Sequence, residues 1–347
     1  AAELAAVEDR YDAPATSTER RLAAAWAAVL GIPQKQIGRR DHFFDLGGTS
    51  LSAVKLAITL DRAVSLKDVT RHPILADLAG VVDGRSDGQS ELLQDLSELN
   101  GAQIGALVCF PYAGGNAVNF QPMARALRDS GLAVYAVELP GHDVGADRES
   151  FAPLTQVVDR VVAEINRRGL TTVLLWGHSS GAALAVETAR RLQRTGTTVP
   201  RVFLGAQLLG AAADRRAAAT ELSERGNAEI SARLSADSGY TELGELDAER
   251  AEHVGAAYRH DCVSAHHYFA EVLDNPPPER LSAPVTVVVA ADDPATVGFG
   301  ARHRDWQLLA ERVELHELAD GGHYFPRTRP ADAGEAVLRS ARTLASS

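Results

Sequence analysis

Val173-Leu174-Leu175-Trp176-Gly177-His178-Ser179-Ser180-Gly181 decides the fold of the larger part of this chain. An apolar run of strand length is followed at once by a G-x-S-x-G turn, and a helix-forming segment begins at Ala182. Small residues on both sides of Ser179 permit a sharp strand-to-helix turn that exposes a serine hydroxyl beyond the end of a strand. Outward from this point the sequence alternates between strand and helix patterns. Strands are expected at Ala106–Phe110, Ala133–Leu139, Val202–Leu209, Val285–Ala290 and Val313–Glu317, with helices such as Leu154–Arg168 and Ala182–Arg194 between them. That alternation predicts a mainly parallel sheet covered on both faces. Between residues 211 and 280 it gives way to Ala-rich, charged, helical sequence, where a lid inserted after the sixth strand of such a sheet is expected.

An exposed serine becomes a nucleophile only beside a base, and the base needs an orienting acid. Gly321-Gly322-His323 follows the last expected strand and offers the base. Asp292-Asp293-Pro294 follows Val285–Ala290 and offers the acid, so the order Ser, acid, His is that of an α/β-hydrolase. Asp293 is preferred because the acid usually lies a few residues beyond the strand, and Asp292 is the alternative. The two N–H groups of an oxyanion hole are expected from Ser180 and from the loop Phe110-Pro111-Tyr112-Ala113-Gly114-Gly115, at Ala113. That Gly pair is not a phosphate loop, since it lacks G-x-G-x-x-G and any following Gly-Lys-Ser/Thr. His178 is read as a packing or hydrogen-bonding residue, and no metal site is expected. His253, His260, His266 and His267 match no ligand spacing, and Tyr258, Tyr268 and Phe269 line an acyl channel or pack helices.

The first 82 residues have a different character. Ser17 or Thr18 caps a helix over 17–30 with Leu22, Trp26 and Leu30 on one face. A loop through Gly31, Pro33 and Gly38 leads to Asp45-Leu46-Gly47-Gly48-Thr49-Ser50-Leu51, where a second helix begins at Ser50. His72-Pro73 breaks the chain before a last helix, Ile74–Val82, so a small four-helix domain over 1–82 is expected. Residues 83–102, starting with polar Asp83-Gly84-Arg85-Ser86-Asp87-Gly88, read as a linker in which Leu92–Leu99 forms a short helix or the entry to the next domain. The hydrolase domain then occupies 103–347, with its lid at about 211–280.

Composition narrows the function classes. With 45% apolar residues in 347, the chain can bury two cores, and a formal net charge of −11 argues against nucleic acid as a partner. The apolar stretch after Arg20-Arg21 is too short to span a bilayer, so no membrane partner is expected. Two cysteines, Cys109 and Cys262, form no disulfide framework, which suits a reducing cytoplasm. Ala1 in place of Met suggests a piece of a longer polypeptide.

Asp41-His42-Phe43-Phe44-Asp45-Leu46-Gly47-Gly48-Thr49-Ser50-Leu51 resembles the core motif of peptidyl carrier domains, and the segments around Trp26 and His72-Pro73 are similar to their first helix and later turn. The resemblance implies a 4′-phosphopantetheine arm on Ser50, placed by a phosphopantetheinyl transferase. Thr49 stands where that family more often has Asp or His, and the stretch from Ser50 to Pro73 is several residues shorter than usual. Phe110-Pro111-Tyr112-Ala113-Gly114-Gly115, Glu138-Leu139-Pro140-Gly141-His142, the serine turn and Gly321-Gly322-His323-Tyr324-Phe325 together resemble the thioesterases of peptide and polyketide synthetases. Placing the acid after the later strand is more like the stand-alone, type II editing members. His142 replaces a common Arg, and Ser180 a common Met or Leu. The pairing implies the releasing end of a nonribosomal peptide synthetase, served by upstream modules and acting on an acyl or peptidyl thioester. Release by hydrolysis or cyclisation through Ser179 is the leading expectation. A corrective hydrolase of stalled acyl groups is the first alternative, and a carrier and docking module with an idle hydrolase domain is the second.

Overall fold

The computed structural model describes residues 12–60, 64, 66–86, 91–97, 102–142, 150–235, 240 and 248–345. The chain divides into two compact units at about residue 90.

Among the described residues the first unit holds four α-helices: α1 (Ser17–Leu30), α2 (Ser50–Thr59), α3 (Leu66–Arg71) and α4 (Leu75–Ser86). Thr16, not Ser17 or Thr18, caps α1, its hydroxyl accepting from the N–H of Glu19 at 3.0 Å. The helix ends at Gly31, whose left-handed backbone lets its N–H reach the Ala27 carbonyl. Leu22 and Trp26 face inward on α1 and pack with Ile37, Phe43, Leu56 and Leu78, all fully buried. Trp26 meets Phe43 edge-on with ring centroids 5.1 Å apart. The last helix runs on through Asp83-Gly84-Arg85-Ser86, four residues into the expected linker. Leu75, Leu78, Ala79 and Val82, buried in the core, anchor α4 against a glycine and polar composition that would not sustain a helix alone.

The second unit is built on a seven-stranded sheet: β1 (Leu93–Asp95), β2 (Gly105–Phe110), β3 (Leu132–Val137), β4 (Val173–His178), β5 (Val202–Gly205), β6 (Val285–Ala290) and β7 (Val313–Leu318). Their spatial order is β1-β3-β2-β4-β5-β6-β7, parallel throughout except for the antiparallel edge strand β1. Of the two readings of Leu92–Leu99, the entry to the next domain holds and the short helix does not: residues 98 and 99 lie outside the described residues, and Leu93–Asp95 is this edge strand. Glu164 sets its start by accepting from the N–H groups of Leu92 and Leu93, a partner the local sequence does not reveal. The strand expected over 202–209 stops at Gly205, because Ala206 turns into left-handed backbone at φ 52°.

Alternate strand residues feed two cores. Val108, Leu175, Leu204 and Val287 face α6 (Leu154–Arg167), α7 (Gly181–Thr195) and part of the lid. Leu107, Leu174, Phe203 and Val288 pack on the other face with α5 (Gln121–Ala126) and α11 (Pro330–Ala345). The insertion comprises α8 (Ala212–Glu224), α9 (Asn227–Leu234) and the 27-residue α10 (Ala248–Asp274). It follows the fifth observed strand, not the sixth. No helix among the described residues is long and apolar enough to cross a membrane.

Candidate active site

Strand β4 delivers the chain into the serine turn. Ser179 adopts φ 52°, a left-handed conformation that a non-glycine residue takes only when its surroundings impose it. Gly177 and Gly181 make the turn possible. A Cβ on Gly177 would lie 2.6 Å from Cα of Ala182, and one on Gly181 only 2.4 Å from the Pro111 carbonyl oxygen. The turn is thus pressed directly against the loop that follows β2.

Three residues spread over a span of 144 positions converge here. The Ser179 hydroxyl lies 2.9 Å from Nε2 of His323, and Nδ1 of that ring lies 3.0 Å from Oδ2 of Asp293. Asp293 is 2% exposed, and its other oxygen accepts from the N–H of Ala295 at 2.9 Å. Burial works against its charge, but the hydrogen bond and charge of His323 outweigh it and hold the carboxyl below the usual carboxylate range. Asp292 points elsewhere. It accepts from the N–H groups of Gly322 at 2.9 Å and Gly321 at 3.3 Å, so it braces the loop carrying His323 without touching the ring.

His178 has a part that its sequence position concealed. Its ring is fully buried, lies parallel to Trp176 and donates from Nε2 to the backbone carbonyl of His323 at 2.6 Å. Burial, with the nearby His323, pushes its pKa down to about 3, so it is a neutral donor that pins the backbone of His323.

Ser180 follows the serine turn and Ala113 lies in the loop after β2. The Ala113 carbonyl accepts from the hydroxyl of Tyr240, and the N–H of Gly114 donates to Asp261 at 2.8 Å. Tyr112 packs edge-on against Tyr324, with ring centroids 4.8 Å apart, and against His178. Ser179, His323 and Asp293 line a cleft whose far wall is the lid, through Arg215, Tyr258, Cys262 and His266. A second pocket of about 400 Å³, mostly apolar, reaches Ser180 from the side of Leu139, Leu154 and Leu184.

The remaining sequence candidates are accounted for locally. His253 bonds the Gly141 carbonyl, His260 faces Asp261, and His266 lies against Arg215. Among the described residues no three His, Cys, Asp or Glu side chains are placed to hold a metal. Phe269 is core, Tyr268 bonds Glu187, and Tyr258 alone of the three aromatics lines the cleft. Burial pushes the Cys262 thiol up to about 12 and raises the Cys109 thiol well above its usual value, so neither is a thiolate.

In the first unit Ser50 is the first residue of α2. The cap of that helix is made by Thr49, whose hydroxyl accepts from the N–H of Ser52 at 3.2 Å while Ser52 accepts from the N–H of Thr49 at 2.6 Å. Gly48 is required just upstream, since a Cβ there would lie 2.4 Å from the Phe43 ring. Thr49 thus caps the helix in place of the serine that begins it.

An α/β-hydrolase site with a Ser-His-Asp arrangement thus shares a chain with a small helical domain. Comparison with known families places both parts. Residues 20–82 match the phosphopantetheine attachment site family and residues 106–237 the thioesterase domain family. Indigoidine synthase of Streptomyces lavendulae is 30% identical over 203 residues, covering 57% of this chain and 15% of that protein. Among solved structures, the RedJ thioesterase of the prodiginine pathway in Streptomyces coelicolor is 25% identical with a TM-score of 0.53, covering 70% of this chain and 91% of RedJ. The type II thioesterase BorB of the borrelidin cluster shares the fold, with a TM-score of 0.57 at 22% identity over 74% of this chain and 99% of BorB. A phosphopantetheine attachment match followed by a thioesterase match makes this chain a carrier–thioesterase didomain. It spans only a small part of the length of the synthetases it matches.

Proposed function

We propose that this didomain holds an acyl or peptidyl chain on Ser50 and releases it through an ester on Ser179, as the terminal step of nonribosomal peptide assembly. The observation that carries the reading is the hydrogen-bonded series Ser179–His323–Asp293, on a chain that also contains a phosphopantetheine attachment domain. Once attached to Ser50 by a phosphopantetheinyl transferase, the phosphopantetheine arm supplies the thiol on which upstream modules present their product as a thioester.

His323 takes the Ser179 proton through Nε2 as the hydroxyl oxygen attacks a thioester carbonyl, and Asp293 stabilises the resulting imidazolium through Nδ1. The negative charge on the tetrahedral oxygen falls to the N–H groups of Ala113 and Ser180. Collapse breaks the carbon–sulfur bond, and His323 returns its proton to the departing thiol. Water, or an amine or hydroxyl of the chain itself, then attacks the Ser179 ester with His323 again as base. The product is a free acid or a ring. Tethering keeps the local concentration of the thioester high, so little affinity between the domains is needed.

A second reading, removal of stalled acyl groups, is favoured by one observation: the acid follows β6, while the end of β5 offers Ala206 and Gln207. The test is intact mass against time after loading Ser50 with acyl-pantetheine, for the wild type beside Ser179→Ala. Loss of the acyl mass in the wild type alone supports release through Ser179, and equal retention by both supports an idle hydrolase domain. Faster loss of short acyl groups than of a full-length peptide supports the corrective role.

A further inference from the structure

The loop that carries Ala113 is held from the lid side by a carboxylate. Asp261, in the middle of α10, accepts through one oxygen from both the N–H of Gly114, at 2.8 Å, and Nε2 of His142, at 2.7 Å. The two side chains are almost wholly buried, 9% and 2% exposed. His142 follows β3, and its Nδ1 lies 3.1 Å from the carbonyl oxygen of Pro140. Both ring nitrogens therefore face acceptors, and only the imidazolium, with two N–H groups, satisfies both. Other contacts act in the same direction. Tyr240 donates to the Ala113 carbonyl, and a Cβ on Gly114 would stand 3.2 Å from Tyr258 and from the Val254 carbonyl. Loop and lid helix meet nearly backbone to backbone.

We propose that Asp261 and His142 are positioning residues: their buried ion pair fixes Gly114, and hence Ala113, so that the oxyanion site is complete only while α10 is seated and His142 is protonated. The inference rests on the reading of Ser179 as nucleophile and Ala113 as an oxyanion donor. One shared acceptor makes the two halves interdependent. With His142 neutral, a buried carboxylate keeps its Gly114 bond but loses its counter-charge, and a lone buried charge is expensive enough to draw in water or shift the helix.

Among the described residues the groups facing the pair are few, and they include the Cys262 thiol beside Asp261 on α10. From α10 come His260, whose Nδ1 is 3.2 Å from the second Asp261 oxygen, and His253, bound to the Gly141 carbonyl. From the end of β3 comes Glu138, which accepts from the N–H of Ala117. Phe151 stacks on His253 and His260 and meets His142 edge-on. On the remaining side the surroundings are apolar, Leu154, Leu184 and Ala265. Burial opposes the His142 charge, but Asp261, helped by Pro140 and Glu138, outweighs it and holds the imidazole above its usual range. Burial likewise opposes the Asp261 charge, and His142 carries it down to about 2. Each charge keeps the other: the pair is intact from about pH 2 up to the raised His142 pKa and is lost as pH rises through it.

The experiment is the pH dependence of single-turnover acylation by octanoyl N-acetylcysteamine, using the full chain as wild type, His142→Arg, Asp261→Asn and Ser179→Ala. The wild type should lose acylation rate on the alkaline side, and His142→Arg, which cannot deprotonate, should hold its rate there. Asp261→Asn should acylate on the order of 10–100-fold more slowly with little change in KM, and should bind octylboronic acid, a mimic of the oxyanion on Ser179, more weakly by a similar factor. Superimposable alkaline limbs for wild type and His142→Arg would overturn the proposal, as would wild-type acylation by Asp261→Asn. Should Asp261→Asn fail to fold, the comparison with His142→Arg still decides. Acylation persisting in Ser179→Ala would overturn the underlying nucleophile assignment, a result separate from either limb.

Discussion

Ser50 is the first residue of a ten-residue helix whose start is capped by its neighbour Thr49, whereas Ser179 is forced to φ 52° at the end of a fully buried strand. The proposed task of each explains the contrast. A serine that accepts a flexible arm needs to be displayed to a modifying enzyme, and local sequence can arrange that. A serine that attacks a carbonyl needs a base, an acid and an oxyanion site held to fractions of an ångström, which takes elements from the whole fold. Hence the carrier motif is eleven contiguous residues, 41–51, while the proposed hydrolase site draws on residues 113, 179, 180, 293 and 323.

This comparison breaks most visibly at Ser179. Replacing it by Ala should lower release of an acyl N-acetylcysteamine by about 10⁴–10⁶-fold and abolish labelling by a fluorophosphonate. Thermal unfolding should stay near that of the wild type, and substantial residual turnover would show that another nucleophile operates.

Next in size is the contrast between adjacent aspartates. Asp293→Asn should cost on the order of 10⁴ in kcat, because Asn cannot hold the imidazole in its working tautomer. Asp292→Asn, which loses only its bonds to the Gly321 and Gly322 N–H groups, should cost about tenfold or less. Equal losses in the two variants would mean that the loop and the ring are not separable as their hydrogen bonds imply.

The independence of the two regions is sharpened by Ser50→Ala. That variant should gain no mass when treated with coenzyme A and a phosphopantetheinyl transferase, yet hydrolyse the small N-acetylcysteamine substrate at the wild-type rate. A slower rate on the free substrate would show that the carrier contributes to the hydrolase site.

The smallest expected effect is on stability alone. Trp26→Ala removes a fully buried indole from the first core and should destabilise that unit by about 3–5 kcal/mol. The calorimetric transition of the first unit should move while that of the second does not, and a shift of both would mean that the two units unfold together.

Legibility followed the range of the causes. The sheet could be read because parallel strands buried on both faces are unbroken apolar runs, as in Val285–Ala290 and Val173–Trp176. Edge strand β1 escaped because it is three residues long and its start is fixed by Glu164, about seventy positions away. The His142–Asp261 pair escaped for the same reason. A lone His after Pro-Gly and a lone Asp in a helix carry no joint signal until the fold closes the 119-residue gap between them.

By itself the sequence determined two domains, the helical character of one, the strand–helix alternation of the other, and the types and order of the residues proposed for the chemistry. These follow from periodicity, turn-forming residues and short motifs, all of them local. Folding alone settles which of Asp292 and Asp293 meets His323, that His178 holds the His323 carbonyl, and that the lid reaches down to hold the Ala113 loop. Those outcomes depend on where carboxylates and ring nitrogens point once long loops are closed, and the energy of a buried hydrogen bond is settled by a few tenths of an ångström that no spacing along a chain records.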